Sequence, residues 1–118
     1  EAYMRELKER VHCPVIKAVR VQSAAQVLAA EKLSCDLLLL DTYQEGQYGG
    51  SGKTFDYAKI PTLQKPFFLA GGLANSNIAR AIEKCNPYAV DISSGVETEG
   101  IKDELKIRQL IQTVRSLE

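Results

Sequence analysis

Apolar residues along this chain recur with two alternating periods. In residues 1–11, Met4, Leu7 and Val11 stand three and four positions apart with charges between them, which predicts a helix. Pro14 ends helical geometry, and residues 15–21 are dense in β-branched side chains, as a strand requires. Ser23 and Gln26 form an S-x-x-Q capping box that opens a second helix, with Ala24, Val27 and Leu28 as its stripe. Residues 36–41 set four leucines between two aspartates, a run that predicts a strand covered on both faces.

Residues 42–54 break the pattern. Thirteen residues with four glycines make a loop that is long for a strand-to-helix connection, and long loops in compact domains tend to carry function. A helical turn is expected at 57–60, and residues 66–70 form a third strand ended by Gly71 and Gly72. Asn75 or Ser76 caps a third helix with Ile78, Ala81, Ile82 and Cys85 on its inner face, stopped by Asn86 and Pro87. Residues 88–92 make a fourth strand running into Ser93, Ser94 and Gly95. The last helix is expected from about Lys102 to Leu117, with Ile107, Leu110, Ile111, Val114 and Leu117 inward. Strict alternation of helix and strand predicts one α/β domain over residues 1–118, with parallel strands joined by helical crossovers. Four strands fit a small open sheet, or half of an eight-stranded (βα)8 TIM barrel, which in full takes about 200 residues or more.

Composition narrows the function. Hydrophobic residues at 45% and charged residues at 25% describe an ordinary globular domain. Fifteen basic and fifteen acidic residues cancel, so no general attraction to nucleic acid or an anionic membrane is encoded, and an anion has to be held by local donors. No apolar run approaches the roughly 20 residues needed to cross a bilayer. The first residues are too polar for a secretory signal, and Glu1 in place of an initiator methionine suggests a processed chain or a fragment. Cys13, Cys35 and Cys85 form no CxxC pair; each adjoins an apolar segment and reads as a small buried hydrophobe. A reducing cytoplasm fits this usage. The single histidine, His12, cannot build a multi-histidine metal site and reads as a surface residue before a strand.

In parallel α/β folds ligands bind at the C-terminal ends of strands. Those ends here are Arg20 to Gln22, Asp41 and Thr42, Gly71 to Leu73, and Ser93 to Gly95. Gly71 and Gly72 let backbone amides approach an anion, and Ser93, Ser94 and Gly95 add hydroxyls and further amides. Either end alone is a plain turn; on consecutive strands they point to a phosphate site. Asp41 closes a run of leucines on the same rim, where apolar surroundings favour the neutral carboxyl that a general acid needs. Arg20 could meet an anionic substrate or pair with a carboxylate on the next strand. Glu97, Glu99, Lys102 and Asp103 read as a solvated face before the last helix. Lys53 ends a stretch that superficially resembles a Walker A motif, but Gln47 stands where that motif needs glycine, and nucleotide binding is rejected.

Residues 36–41, 49–57 (Gly-Gly-Ser-Gly-Lys-Thr-Phe-Asp-Tyr), 69–73 (Leu-Ala-Gly-Gly-Leu), Asn77, 90–97 (Val-Asp-Ile-Ser-Ser-Gly-Val-Glu) and 100–103 (Gly-Ile-Lys-Asp) together resemble the phosphoribosylanthranilate isomerases of tryptophan biosynthesis, in order and spacing, over essentially the whole chain. The resemblance implies a TIM barrel of which this chain is the C-terminal half, a helix followed by the last four βα units. It implies an Amadori rearrangement of N-(5'-phosphoribosyl)anthranilate without cofactor or metal. In that reaction a general acid opens the furanose to a Schiff base, a general base removes the C2' proton, and the enolamine tautomerises to the ketone. By resemblance Asp41 is the acid, Gly71, Gly72, Asp91, Ser93, Ser94 and Gly95 hold the substrate phosphate, and the glycine loop at 46–52 covers the substrate. The family's general base is a cysteine on the first strand, and an arginine for the anthranilate carboxylate lies with the second; both belong to segments outside this sequence. An indole-glycerol-phosphate-synthase-like barrel is the alternative enzyme, and a catalytically inactive phosphate-binding half-barrel the alternative without turnover. The half-barrel is expected to self-associate or to pair with the missing N-terminal half, because open sheet edges invite pairing.

Overall fold

A computed structural model describes residues 1–43 and 55–118. Four parallel strands, β1 (Ile16–Arg20), β2 (Leu37–Asp41), β3 (Phe67–Ala70) and β4 (Ala89–Asp91), lie in sequential order in one sheet. Helix α1 (Ala2–Arg10) precedes β1, α2 (Ala24–Glu31) joins β1 to β2, α3 (Ile78–Cys85) joins β3 to β4, and α4 (Glu104–Ser116) follows β4, whereas the described part of the connection from β2 to β3 carries a single 3-10 turn at Tyr57–Lys59, where a helical turn is expected, and no α-helix. A short antiparallel hairpin, β5 (Glu97–Thr98) with β6 (Ile101–Lys102), intervenes before α4.

Residue type and position explain the boundaries. Ser23 accepts the Gln26 amide at 3.2 Å, and the Gln26 carboxamide returns to the Gln22 amide at 2.7 Å and donates to the Arg20 carbonyl. The reciprocal half of the expected capping box therefore falls one residue early and ties α2 to the end of β1. Asn86 ends α3 in the left-handed region at φ 49, and its amide closes on Ile82. Asp103 caps α4 through the amides of Leu105 and Lys106, which moves the helix start past Lys102. Asn77, rather than Asn75 or Ser76, precedes α3.

The helices cover one face of the sheet. Leu38, Leu40, Leu69, Ile78 and Val27 are fully buried there. Alternate residues point the other way: Ile16, Ala18 and Arg20 are exposed, and Leu37, Leu39 and Phe68 only half-buried. The leucine run is thus covered on one face, contrary to the two-sided cover expected of it, because the helices lie on the Leu38 and Leu40 side. Ile111 and Leu117 do not face inward on α4; they are 44% and 36% exposed, while Leu110 is the residue that α4 buries. Cys35 is buried and Cys85 half-buried, but Cys13 is exposed in the turn before β1 and is not the buried hydrophobe expected. His12 is exposed, as expected.

Candidate active site

Register brings the polar strand ends together. Arg20 pairs with Asp41, Asp41 with Ala70, and Ala70 with Asp91. In a parallel sheet residues in register share a face, so Arg20, Asp41 and Asp91 form one row on the face away from the helices, about 4.8 Å apart per strand. A cavity of 280 Å³ opens beside Asp41 and Asp91. Asp41, Gly71, Gly72, Asp91, Ser93, Ser94 and Gly95 all line it, together with Leu39, Tyr43, Ala70, Leu73 and Ile92. The seven residues to which the family resemblance gives a role therefore stand around one space, while Arg20, the other candidate for an anion, does not line it. The glycine-rich stretch 46–52 lies outside the described residues.

Two glycines set how tightly the walls close. Gly71 sits at φ +92, and a Cβ there would lie 2.3 Å from both Asp41 Oδ1 and the Tyr43 amide nitrogen. Gly95 lies against the carbonyl of Leu73, which a Cβ would meet at 1.8 Å. Gly72 adopts φ 64. These positions bring the ends of β2, β3 and β4 closer than any side chain allows.

Asp41 is held rather than loose: its Oδ1 accepts the Tyr43 amide at 2.9 Å. Thr42, 1% exposed, donates its hydroxyl to the carbonyls of Ala70 and Gly71 at 2.9 and 3.1 Å, and its amide reaches the same Ala70 carbonyl at 2.8 Å. The Asn77 side chain grips the next loop, donating to the Gly72 carbonyl at 2.9 Å and accepting from the Ala74 amide at 2.9 Å. Neither Thr42 nor the Asn77 side chain has a role that the sequence alone assigns. A hydroxyl directly after a strand-ending acid was the available signal for Thr42.

The remaining polar candidates divide. Lys102 does not point to solvent alone: its ammonium donates to the Ser93 carbonyl at 2.9 Å and hydroxyl at 3.1 Å, and also reaches Glu97. Asp103 is the cap of α4, and its carboxyl is held below the usual range by the Thr98 hydroxyl first and the Lys106 amide next. None of the three cysteines lines the cavity. Cys13 and Cys35 precede β1 and β2, at the opposite ends of the strands, and Cys85 closes α3, where burial pushes its thiol up to about 11. Among the described residues no cluster of His, Cys, Asp and Glu is placed to hold a metal ion. No described helix is long and apolar enough to cross a membrane.

Residues 1–113 match the family described as N-(5'phosphoribosyl)anthranilate (PRA) isomerase. The chain belongs to this isomerase family. N-(5'-phosphoribosyl)anthranilate isomerase of Endomicrobium trichonymphae is 50% identical over 117 residues, covering 99% of this chain and 57% of its own length. The solved isomerase from Thermococcus kodakaraensis superposes with a TM-score of 0.73 at 33% identity, over 97% of this chain and 58% of that one. Another solved isomerase, in complex with reduced 1-(o-carboxyphenylamino)-1-deoxyribulose 5-phosphate, matches with a TM-score of 0.63 at 30% identity, over 95% of this chain and 53% of that one. The chain spans about half the length of the relatives it matches.

Proposed function

We propose that this chain supplies the general acid and the phosphate cradle of a phosphoribosylanthranilate isomerase, with β1 to β4 as strands five to eight of the barrel. The observation that carries the reading is the convergence of Asp41 with Gly71, Gly72, Ser93, Ser94 and Gly95 on one cavity, on the face of the sheet that the helices leave open. A solved relative holds a phosphorylated product analogue, in keeping with a phosphate cradle here.

In this reading Asp41 donates a proton to the furanose ring oxygen of N-(5'-phosphoribosyl)anthranilate. The ring C–O bond breaks, the anilino nitrogen supplies the electron pair, and a Schiff base forms. A base from outside this sequence takes the C2' proton, and the enolamine tautomerises to the ketone, so the overall step is an intramolecular aldose-to-ketose redox change. The amides and hydroxyls of Ser93, Ser94 and Gly95, with the glycine amides of β3's end, hold the phosphate. Asp91 belongs to the same group by family resemblance. A carboxylate repels phosphate at contact, so its share is to accept hydrogen bonds from loop amides or the sugar. The reaction needs no cofactor or metal.

The described residues lining the cavity include no lysine, which an indole-glycerol-phosphate-synthase-like acid would require. Without a base, the isolated chain binds phosphate weakly and turns over little or nothing, and its open sheet edges pair with another copy or with the N-terminal half of the barrel. The enzyme works in the cytoplasm. The test is Asp41→Asn in the full-length gene product, assayed for conversion of N-(5'-phosphoribosyl)anthranilate and, separately, for binding of inorganic phosphate. Turnover is expected to fall by about 10²-fold or more, the usual share of a general acid, with phosphate binding retained. Retained turnover overturns the acid assignment.

A further inference from the structure

Behind the proposed phosphate cradle stands a cation that does not itself line the cavity. Lys102 lies on β6 and faces the neighbouring groove of β4 and α4. From there its ammonium reaches back nine residues to Ser93. We infer that Lys102 is a positioning residue for phosphate, acting through Ser93. The inference rests on the isomerase reading above for the identity of the anion.

The chemistry follows from what each group can do. An ammonium only donates, and a serine hydroxyl has one hydrogen and two lone pairs. With Lys102 donating into the Ser93 oxygen at 3.1 Å, that oxygen is an acceptor on the lysine side. Its single hydrogen is thereby left to donate elsewhere, and Ser93 lines the cavity. A second bond, from the same ammonium to the Ser93 carbonyl at 2.9 Å, fixes the backbone that carries the hydroxyl. Without the lysine, the hydroxyl is free to turn its hydrogen to its own backbone or to water, and an arriving anion would have to reorient it.

The hairpin holds the lysine in place. Glu97 pairs with Lys102 across the two short strands, and the Lys106 ammonium donates to the Glu97 carbonyl at 2.7 Å. The Asp103 amide donates to the Val96 carbonyl at 2.8 Å, and Thr98 donates to the Asp103 carboxylate at 2.6 Å. The turn between the strands uses Glu99 and Gly100 at φ 52 and φ 80, which brings Lys102 alongside Glu97. Glu97 also offsets the lysine's charge, so the cation contributes mainly through Ser93 and less as a bare charge.

The test uses the full-length gene product. Lys102→Met keeps the length of the side chain and removes the donor. It is expected to raise KM for N-(5'-phosphoribosyl)anthranilate and weaken inorganic phosphate binding, each by about tenfold, the scale of a hydrogen bond to a charged group. The change in kcat should be small, because Asp41 is untouched. Lys102→Arg, another donor-only cation, should recover most of the affinity. In a Ser93→Ala background Lys102→Met should add much less than it does alone. Glu97→Gln breaks the ion pair but leaves the lysine on Ser93, and phosphate affinity should hold or tighten. Equal losses from Lys102→Met with and without Ser93, or a loss in Glu97→Gln matching that of Lys102→Met, would show that the lysine acts as a bare charge or as hairpin scaffold and overturn the inference. Unchanged KM and phosphate binding in a folded Lys102→Met protein would do the same while leaving the isomerase reading intact. If the unaltered protein neither turns over substrate nor binds phosphate, that reading falls and this one with it.

Discussion

Replacing Gly71 by alanine tests whether the close approach of β2 and β3 sets the position of Asp41. The backbone at φ +92 costs an L-residue about 1–2 kcal/mol. The new Cβ would also stand 2.3 Å from Asp41 Oδ1 and from the Tyr43 nitrogen, and 2.7 Å from the Thr42 nitrogen. Unstrained carbon contacts begin near ~3.5 Å, so the two strand ends must part by about 1 Å. Two of the three atoms are backbone, and no rotamer change relieves them. Overpacking of this kind costs about 1–3 kcal/mol, which brings the expected loss of stability to about 2–5 kcal/mol. The shift also carries the Asp41 carboxyl with it, and if Asp41 is the proposed general acid a displacement of that size costs roughly a hundredfold in kcat. Gly100→Ala is the matched control: φ is +80 and nothing lies within 4 Å of the added carbon, so only the backbone strain applies and turnover should survive. Thermal melts and steady-state kinetics on both variants of the full-length product decide the matter. If Gly71→Ala costs no more stability than Gly100→Ala and keeps its kcat, the packing of these strand ends does not position Asp41 for the proposed reaction.

Two further outcomes follow from groups away from the cavity. The Asp36 carboxylate accepts from the Lys8 ammonium at 2.6 and 2.7 Å and from the Val15 amide at 2.6 Å, and the lysine first and the amide next hold its pKa below the ordinary carboxylate range. A lowered folded pKa stabilises above the unfolded value and is lost as pH falls through the folded one, so Lys8→Met should flatten the fall in melting temperature below about pH 4, with little change in its slope above that. A melting curve whose acid limb is unaltered in the variant would contradict this. Brief alkylation near pH 8 should label Cys13, which is exposed, ahead of buried Cys35 and of Cys85, whose thiol burial pushes up to about 11. Peptide mapping that finds Cys85 or Cys35 modified first would refute the ordering.

Most of the sheet and its helices could be read from the chain because each has a local signature. Pro14, Ser23 with Gln26, and Asn86 mark boundaries through φ restriction, capping and the left-handed turn, and the structure places helix and strand ends within a few residues of them. The hairpin of β5 and β6 escaped notice for a physical reason. Two residues per strand cannot display an alternation, and its turn uses Glu99 before Gly100 rather than an asparagine. The open face of β2 leaves no mark in the chain, because a leucine run records side-chain type and not whether a partner covers it. The cavity was legible as a set of strand ends, since parallel topology alone brings Asp41, Gly71 and Ser93 to one rim. What holds those residues was not. Thr42 reaches forward to Ala70 and Gly71, nearly thirty residues later, and Lys102 reaches Ser93 across a turn. Neither pairing leaves a periodic trace.

The alternation along β2 has a consequence for how this protein can change. Leu38 and Leu40 are wholly enclosed, while Leu39 and Asp41 border the cavity. Odd and even positions therefore answer to different demands, one to the shape of the cavity and the other to cohesion, and single substitutions can drift in one set without touching the other. A strand has a reading frame in this sense. Loss or gain of one residue within 37–41 would exchange the two sets, turning the carboxyl toward the leucines and a leucine toward the cavity. Variation in such a strand should accumulate by replacement, with changes of length confined to the loops.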